Sequence, residues 1–171
     1  MYYPDLGPDC QIAVGPAVRA IGWLERGKPF AVGPVDRQFV ARLKQHVTDA
    51  GKWLPVIAMG PHFCDLGACD GNGGTSNVIV PAETCVYVAP ELILHYVETH
   101  QYEPPHEFIA AVLACPEQSS DAYVAKLLPF ASTWHLDEVG VRRIAARAPE
   151  HRKAAAEATA QAEAAKGHFK W

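Results

Sequence analysis

Five glycines fall between Gly60 and Asn77, so this stretch cannot hold regular structure for long. It divides the chain into short apolar runs on either side. Upstream, Val18 to Leu24 reads as a first strand, closed by Gly27, Pro29 and Gly33. Asp36 can cap a helix in which Phe39, Val40, Leu43 and Val47 share one face, ending near Gly51. Trp53 to Met59 then reads as a second strand. Downstream, Val78-Ile-Val and Thr84 to Ala89 are β-branched runs around Pro81-Ala-Glu, a spacing that predicts an antiparallel hairpin. Pro90 is expected in the first turn of a helix, with Glu91 near its positive end and Leu92, Ile93, Tyr96 and Val97 on its apolar face.

Pro104-Pro105 breaks the chain and opens a helix carrying Phe108, Ile109, Val112 and Leu113. Ser119, Ser120 or Asp121 can cap the next, with Tyr123, Val124, Leu127 and Leu128 inward and Pro129 at its end. The pattern is helical again from Asp137. From Glu150 to Lys166 it is Ala-rich, with high helix propensity but little to anchor it to a core. Residues 1–16, with three prolines and two glycines, read as an irregular arm. The fold expected is α+β, a small, mainly antiparallel sheet of about four strands covered by helices over 36–49, 90–101 and 105–114. Residues 1–130 form one domain in this reading. Residues 131–171 form a helical C-terminal extension suited to contact with a protein partner.

A net charge of −4 and a pI near 6.0 argue against a general nucleic-acid binder. Arg142, Arg143, Arg147, Arg152 and Lys153 read as a solvated helix face. No apolar run approaches the roughly 18 residues that span a bilayer, and the opening Met-Tyr-Tyr-Pro-Asp-Leu-Gly-Pro lacks the features of a secretory signal. A cytoplasmic protein is expected, with no membrane partner. Five cysteines, an odd number, suit reduced thiols better than a disulfide framework. The abundance of Ala, Arg and Pro suggests a bacterium with a GC-rich genome.

The chemistry-bearing residues concentrate between His62 and His106. His62-x-Cys64-x4-Cys69 offers two thiolates and an imidazole within eight residues, and a histidine from the 90–101 helix would complete a tetrahedral zinc shell. His95 and His100 are five apart, so they point about 140° away from each other on a helix of ~100° per residue. That geometry favours one of them, and the candidate set is His62, Cys64, Cys69 and His95. The alternative is a Gly-rich turn with uncoordinated thiols. A nucleophilic Cys64, with His62 or His95 as base and Asp65 as orienter, has the right residue types but no known hydrolase signature. Asp70-Gly-Asn-Gly-Gly-Thr-Ser-Asn lacks the Lys-Ser/Thr of a phosphate loop, leads into a strand, and has no closing Glu for calcium. Cys85 and Cys115 read as core side chains. Tyr87, Tyr96 and Tyr102 should pack with their hydroxyls at the surface. His46, His106, His135, His151 and His168 should face solvent.

Gly22-Trp-Leu, Pro29-Phe, the Gly60/His62-x-Cys64 loop and the run Tyr87-Val-Ala-Pro-Glu-Leu-Ile-Leu-His-Tyr-Val-x-x-His-x-Tyr-x-Pro-Pro-x-x-Phe108 together carry a resemblance. Over residues 17–116 the chain resembles an uncharacterised bacterial family, a domain of unknown function of small soluble proteins. The resemblance implies no activity. The resemblance implies that relatives often carry a second cysteine close behind the first, whereas here position 67 is Gly67 and the next thiol is Cys69.

Two function classes follow. One is a non-catalytic binding or accessory protein whose loop is ordered by zinc or by packing. The other is a small metal- or cysteine-dependent hydrolase using the pocket between the His62–Asn77 loop and the 90–101 helix.

Overall fold

The computed structural model describes residues 1–49, 60–69, 73–118 and 120–147, together with residues 150, 153 and 157. The expected strand over 53–59, along with His151 and His168, lies outside these residues. The architecture is α+β: small sheets, mostly antiparallel, packed by helices.

The main sheet has three strands. Val78, Ile79 and Val80 stand on β6 (Asn77–Pro81), which pairs antiparallel with β7 (Val86–Pro90), as the β-branched runs predict. On its other edge β7 pairs in parallel with β3 (Val18–Ala20), Val18 opposite Val86 and Ala20 opposite Val88. Both β6 and β7 are buried throughout, which is why they read as continuous apolar runs rather than alternating ones. Within the expected 1–16 arm, β1 (Asp9–Cys10) and β2 (Ala13–Val14) form a two-stranded hairpin.

Pro90 ends β7 instead of opening a helix. It lies opposite Asn77 at the end of the ladder, where a missing N–H costs least. The helix α2 (Ile93–His100) starts three residues later, with no side-chain cap. Helix α1 (Arg37–Asp49) is capped as expected, the Gln38 amide donating to Asp36 Oδ1 at 2.6 Å. It buries Phe39, Leu43 and also His46, which was expected to face solvent. The spacing explains it: His46 follows Leu43 by three and Phe39 by seven residues, on the buried stripe. Phe39 meets Phe108 of α3 (His106–Ala114) edge-on at 6.2 Å, and Phe108 meets Tyr87 of β7 at 5.6 Å. Helix α4 (Asp121–Leu127) is capped by Ser120, whose Oγ accepts from the Tyr123 amide, and it buries Tyr123, Val124 and Leu127. A 3₁₀ helix, Leu128–Trp134, follows directly and buries Phe130 and Ala131. Residues 138–147 are helical again, with Val141 buried.

Two links tie the segment from Asp5 to Trp23 to this core, the first part-buried and the second buried. Asp5 accepts from the Gly22 amide at 2.8 Å and from the Tyr102 hydroxyl at 2.7 Å. Burial pushes the Asp5 carboxyl above its ordinary value, while the two hydrogen bonds pull it back down. Gly22 has φ +68°, and a Cβ there would sit 3.1 Å from Ile93 Cγ1. Trp23, fully buried, donates from Nε1 to the Val88 carbonyl at 3.2 Å.

A candidate metal centre between the Cys64 loop and helix α2

Two segments build the site. The first is the loop that follows β4 (His62–Phe63), a strand paired antiparallel with β5 (Gly73–Gly74). Arg26 pins this loop from outside: its amide donates to Asp65 Oδ1 at 3.1 Å and its Nε–H to the Asp65 carbonyl at 2.6 Å. Asp65 therefore faces Arg26, and among the described residues it makes no hydrogen bond to a histidine. The second segment is α2, reached because the β6–β7 hairpin returns the chain. Gly74 lets Glu91, just after β7, lie against the β4–β5 hairpin, since any Cβ there would collide with its carboxylate.

Cys64, Cys69, His95 and His100 converge, each offering a ligand atom within 4.8 Å of the others. All four residues are half-buried, and they lie close enough to bind a metal ion. His100 Nε2 stands 3.3 Å from Cys64 Sγ and 3.3 Å from Cys69 Sγ. A single ring nitrogen has one proton to give or one lone pair to offer, so it cannot serve both sulfurs fully. Ligands at ordinary zinc–nitrogen and zinc–sulfur bond lengths, set at the tetrahedral angle, lie about 3.6 Å apart, close to this spacing.

His95 adds a second indication. Its Nδ1 lies 3.2 Å from Thr99 Oγ1, while its Nε2 is buried with no hydrogen-bond partner among the described residues. The tautomer in which Nδ1–H donates to the threonine hydroxyl leaves the Nε2 lone pair open, the usual arrangement of a metal-binding imidazole. Burial and the neighbouring His100 lower the His95 pKa, which favours the neutral ligating form. Burial raises the Cys64 thiol above its ordinary value, and the adjacent Cys69 adds to the rise. An ion here would displace a proton from Cys64.

Of the four residues read from the sequence as ligands, Cys64, Cys69 and His95 stand in the cluster. His62 stands elsewhere: its Nε2 lies 3.0 Å from the Tyr96 hydroxyl, and its ring meets Trp23 edge-on at 5.6 Å. Burial lowers its pKa. The fourth member is His100. The expectation that His95 and His100 cannot both face the loop is corrected, since their ring centroids are 5.0 Å apart. Going round the helix, Tyr96 lies between them, only about 40° from His100. Helical side chains also lean toward the N-terminus, which carries the His100 ring back toward His95. His100 is the last residue of α2, and Gln101 beyond it turns left-handed at φ 55°.

The tyrosines also differ from expectation. Tyr96 and Tyr102 are fully buried and their hydroxyls end on His62 and Asp5, so burial pushes both phenols up. Tyr87 is buried too, and its phenol is raised to about 12. Cys85 and Cys115 are core side chains, as read, and burial raises Cys115 to about 11. His106 and His135 are exposed. Asp70 and Asn72 of the glycine-rich run lie outside the described residues. A cleft of about 350 Å³ opens on the other side of α2 from its core face, lined by His95, Glu91, Glu98 and Thr99 among others.

Among the described residues no helix is long and apolar enough to cross a membrane. No curated protein and no solved structure matches the chain. The family comparison does give a match, and it begins at residue 1, so it takes in the N-terminal arm, the Asp5–Gly22 link and all four clustered residues. The chain belongs to the family described as a domain of unknown function, DUF7919, whose model matches residues 1–113.

Proposed function

We propose that this chain is a binding or accessory protein whose Cys64 loop is fastened to helix α2 by a zinc ion held by Cys64, Cys69, His95 and His100. The observation that carries the reading is His100 Nε2 at 3.3 Å from both sulfurs, beside a buried His95 nitrogen that has no partner among the described residues. The donor set supports zinc: two thiolates and two imidazoles suit a tetrahedral closed-shell ion, and hard ions such as magnesium or calcium prefer oxygen. Four protein ligands leave no position for water, which is the pattern of a structural site. The partner would be a protein, met through the helical C-terminal region, and the chain would work in the cytoplasm.

Elemental analysis of purified protein tests this directly. One equivalent of zinc, absent from Cys64→Ser and from His100→Ala, is the expected result. Cobalt substitution should give the intense visible absorption of a tetrahedral thiolate site. No bound metal in any preparation would sink the proposal.

The cleft beside His95 favours a second reading, a small hydrolase in which one ligand gives way to water and Glu91 or Glu98 acts as base. A cobalt spectrum that shifts with pH near neutrality would favour it over the closed site. An unchanged spectrum favours the structural ion.

A further inference from the structure

Resting on the assignment of Cys64, Cys69, His95 and His100 as one zinc site, we propose that Cys64 and Cys69 form a redox couple, closing to a disulfide under peroxide and releasing the ion as they do so. The two sulfurs lie within 4.8 Å of each other, against the ~2.05 Å of a disulfide bond. Both also lie 3.3 Å from one imidazole nitrogen. The pair is half-buried, whereas Cys10, Cys85 and Cys115 are buried, so an oxidant in solvent reaches Cys64 and Cys69 first. Four residues separate the cysteines, and Gly67 among them is exposed, with no heavy atom closer than 3.6 Å to the place of a Cβ. The span between the two sulfurs therefore has room to shorten. Arg26 holds the loop at Asp65, next to Cys64, so the closing movement falls on the Cys69 side.

The chemistry balances with a peroxide as the oxidant. The Cys64 thiolate attacks one peroxide oxygen, the O–O bond breaks, and hydroxide leaves while Cys64 becomes a sulfenic acid. The Cys69 thiolate then attacks the Cys64 sulfur, the S–O bond breaks, and the second oxygen leaves as hydroxide. Two protons from solvent convert the two hydroxides to water. Two electrons pass from the sulfur pair to the peroxide, and zinc loses both thiolates. A dithiol reductant reverses the oxidation. In the oxidised state the Cys64 loop is tied to itself and no longer to the end of α2, so the switch would act on whatever surface the two segments jointly present.

The test uses the whole protein loaded with zinc. Hydrogen peroxide is added in small molar excess, zinc release is followed with a chromophoric chelator, and the remaining thiols are alkylated before peptide mass mapping. Expected is one zinc released per Cys64–Cys69 disulfide, with rebinding after dithiothreitol. Cys69→Ser should form no disulfide and should instead leave a sulfenic acid on Cys64 that dimedone labels. Release accompanied only by sulfinic or sulfonic acids, or a linkage through Cys10, Cys85 or Cys115, overturns the couple. Should the variant fail to fold, mapping of the wild-type protein decides alone. A protein that carries no zinc defeats the metal assignment and the release step together. The mapped Cys64–Cys69 linkage, present or absent in that same protein, then decides the thiol couple separately.

Discussion

His62 Nε2 and the Tyr96 hydroxyl lie 3.0 Å apart inside the core, although Tyr96 directly follows His95 of the cluster and its ring centroid lies 5.8 Å from that imidazole. The pair packs beside the cluster without contributing a ligand atom to it. Tyr96→Phe should cost about 1–3 kcal/mol, because a buried imidazole nitrogen loses its partner. It should leave metal stoichiometry unchanged. His100→Ala should do the reverse and abolish metal binding. Urea unfolding combined with elemental analysis on both variants checks the contrast.

His62 also sets a pH dependence. Its folded pKa is lowered by burial, so the unfolded chain takes up a proton near the ordinary value of about 6.5 while the folded one still resists. His95, lowered by burial and by His100, adds in the same direction. Stability present above about pH 6.5 is then lost as pH falls through that value toward the folded pKa values. Urea midpoints of chelator-treated protein at pH 7.5 and 5.5 should fall on acidification, and the fall should be smaller in His62→Asn. Equal slopes in the two proteins would contradict this assignment.

Gly22 combines a left-handed backbone with close packing against Ile93 and Tyr102. Gly22→Ala should lose about 1–3 kcal/mol through backbone strain, beyond any displacement of Ile93. Asp5→Ala should lose a comparable amount, since two buried donors, the Gly22 amide and the Tyr102 hydroxyl, lose their acceptor. The two residues share a hydrogen bond, so the double variant should lose less than the two single losses added together. Denaturant titration of the three variants measures this coupling.

Arg26 holds the Cys64 loop by its backbone without touching the clustered atoms. Arg26→Ala should leave one site per chain and weaken its affinity by about two- to tenfold, the order of one exposed hydrogen bond. Competition with a chelator of known affinity reads the change. Loss of the site altogether would mean that the anchor is part of the ligand geometry.

The fold class and most helices were legible because they depend on local pattern. Phe39 and Leu43 announced the buried stripe of α1, and Asp36 announced its cap. The hairpin of Val78–Val80 and Thr84–Ala89 followed from two β-branched runs around a turn. Pro90 was ambiguous because the same residue suits a first helical turn and the end of a strand. The parallel pairing of Val18 with Val86 left no local trace, since the partners are far apart along the chain. Of the site, the thiols and His95 stood out by residue type. His100 was hidden by a rule about helix faces that describes where Cβ atoms point and omits the reach of an imidazole. Trp23 and Tyr96 announced that their rings are apolar, but nothing in the spacing said that a histidine would end on the phenol.

The parallel pairing of β3 with β7 has a consequence for how the chain is made. β7 is the central strand, and β3 meets it only through residues 86–88. Synthesis delivers Val18 to Ala20 long before their partner exists, so this edge must wait while the intervening residues emerge. The hairpin of β6 and β7 can close first on its own short connection, and the older strand then docks onto a template already formed. The order of assembly thus runs against the order of synthesis, and a nascent chain halted before Val86 would hold β3 only by its other edge, where Ala20 exchanges backbone hydrogen bonds with Leu6 and Gly7.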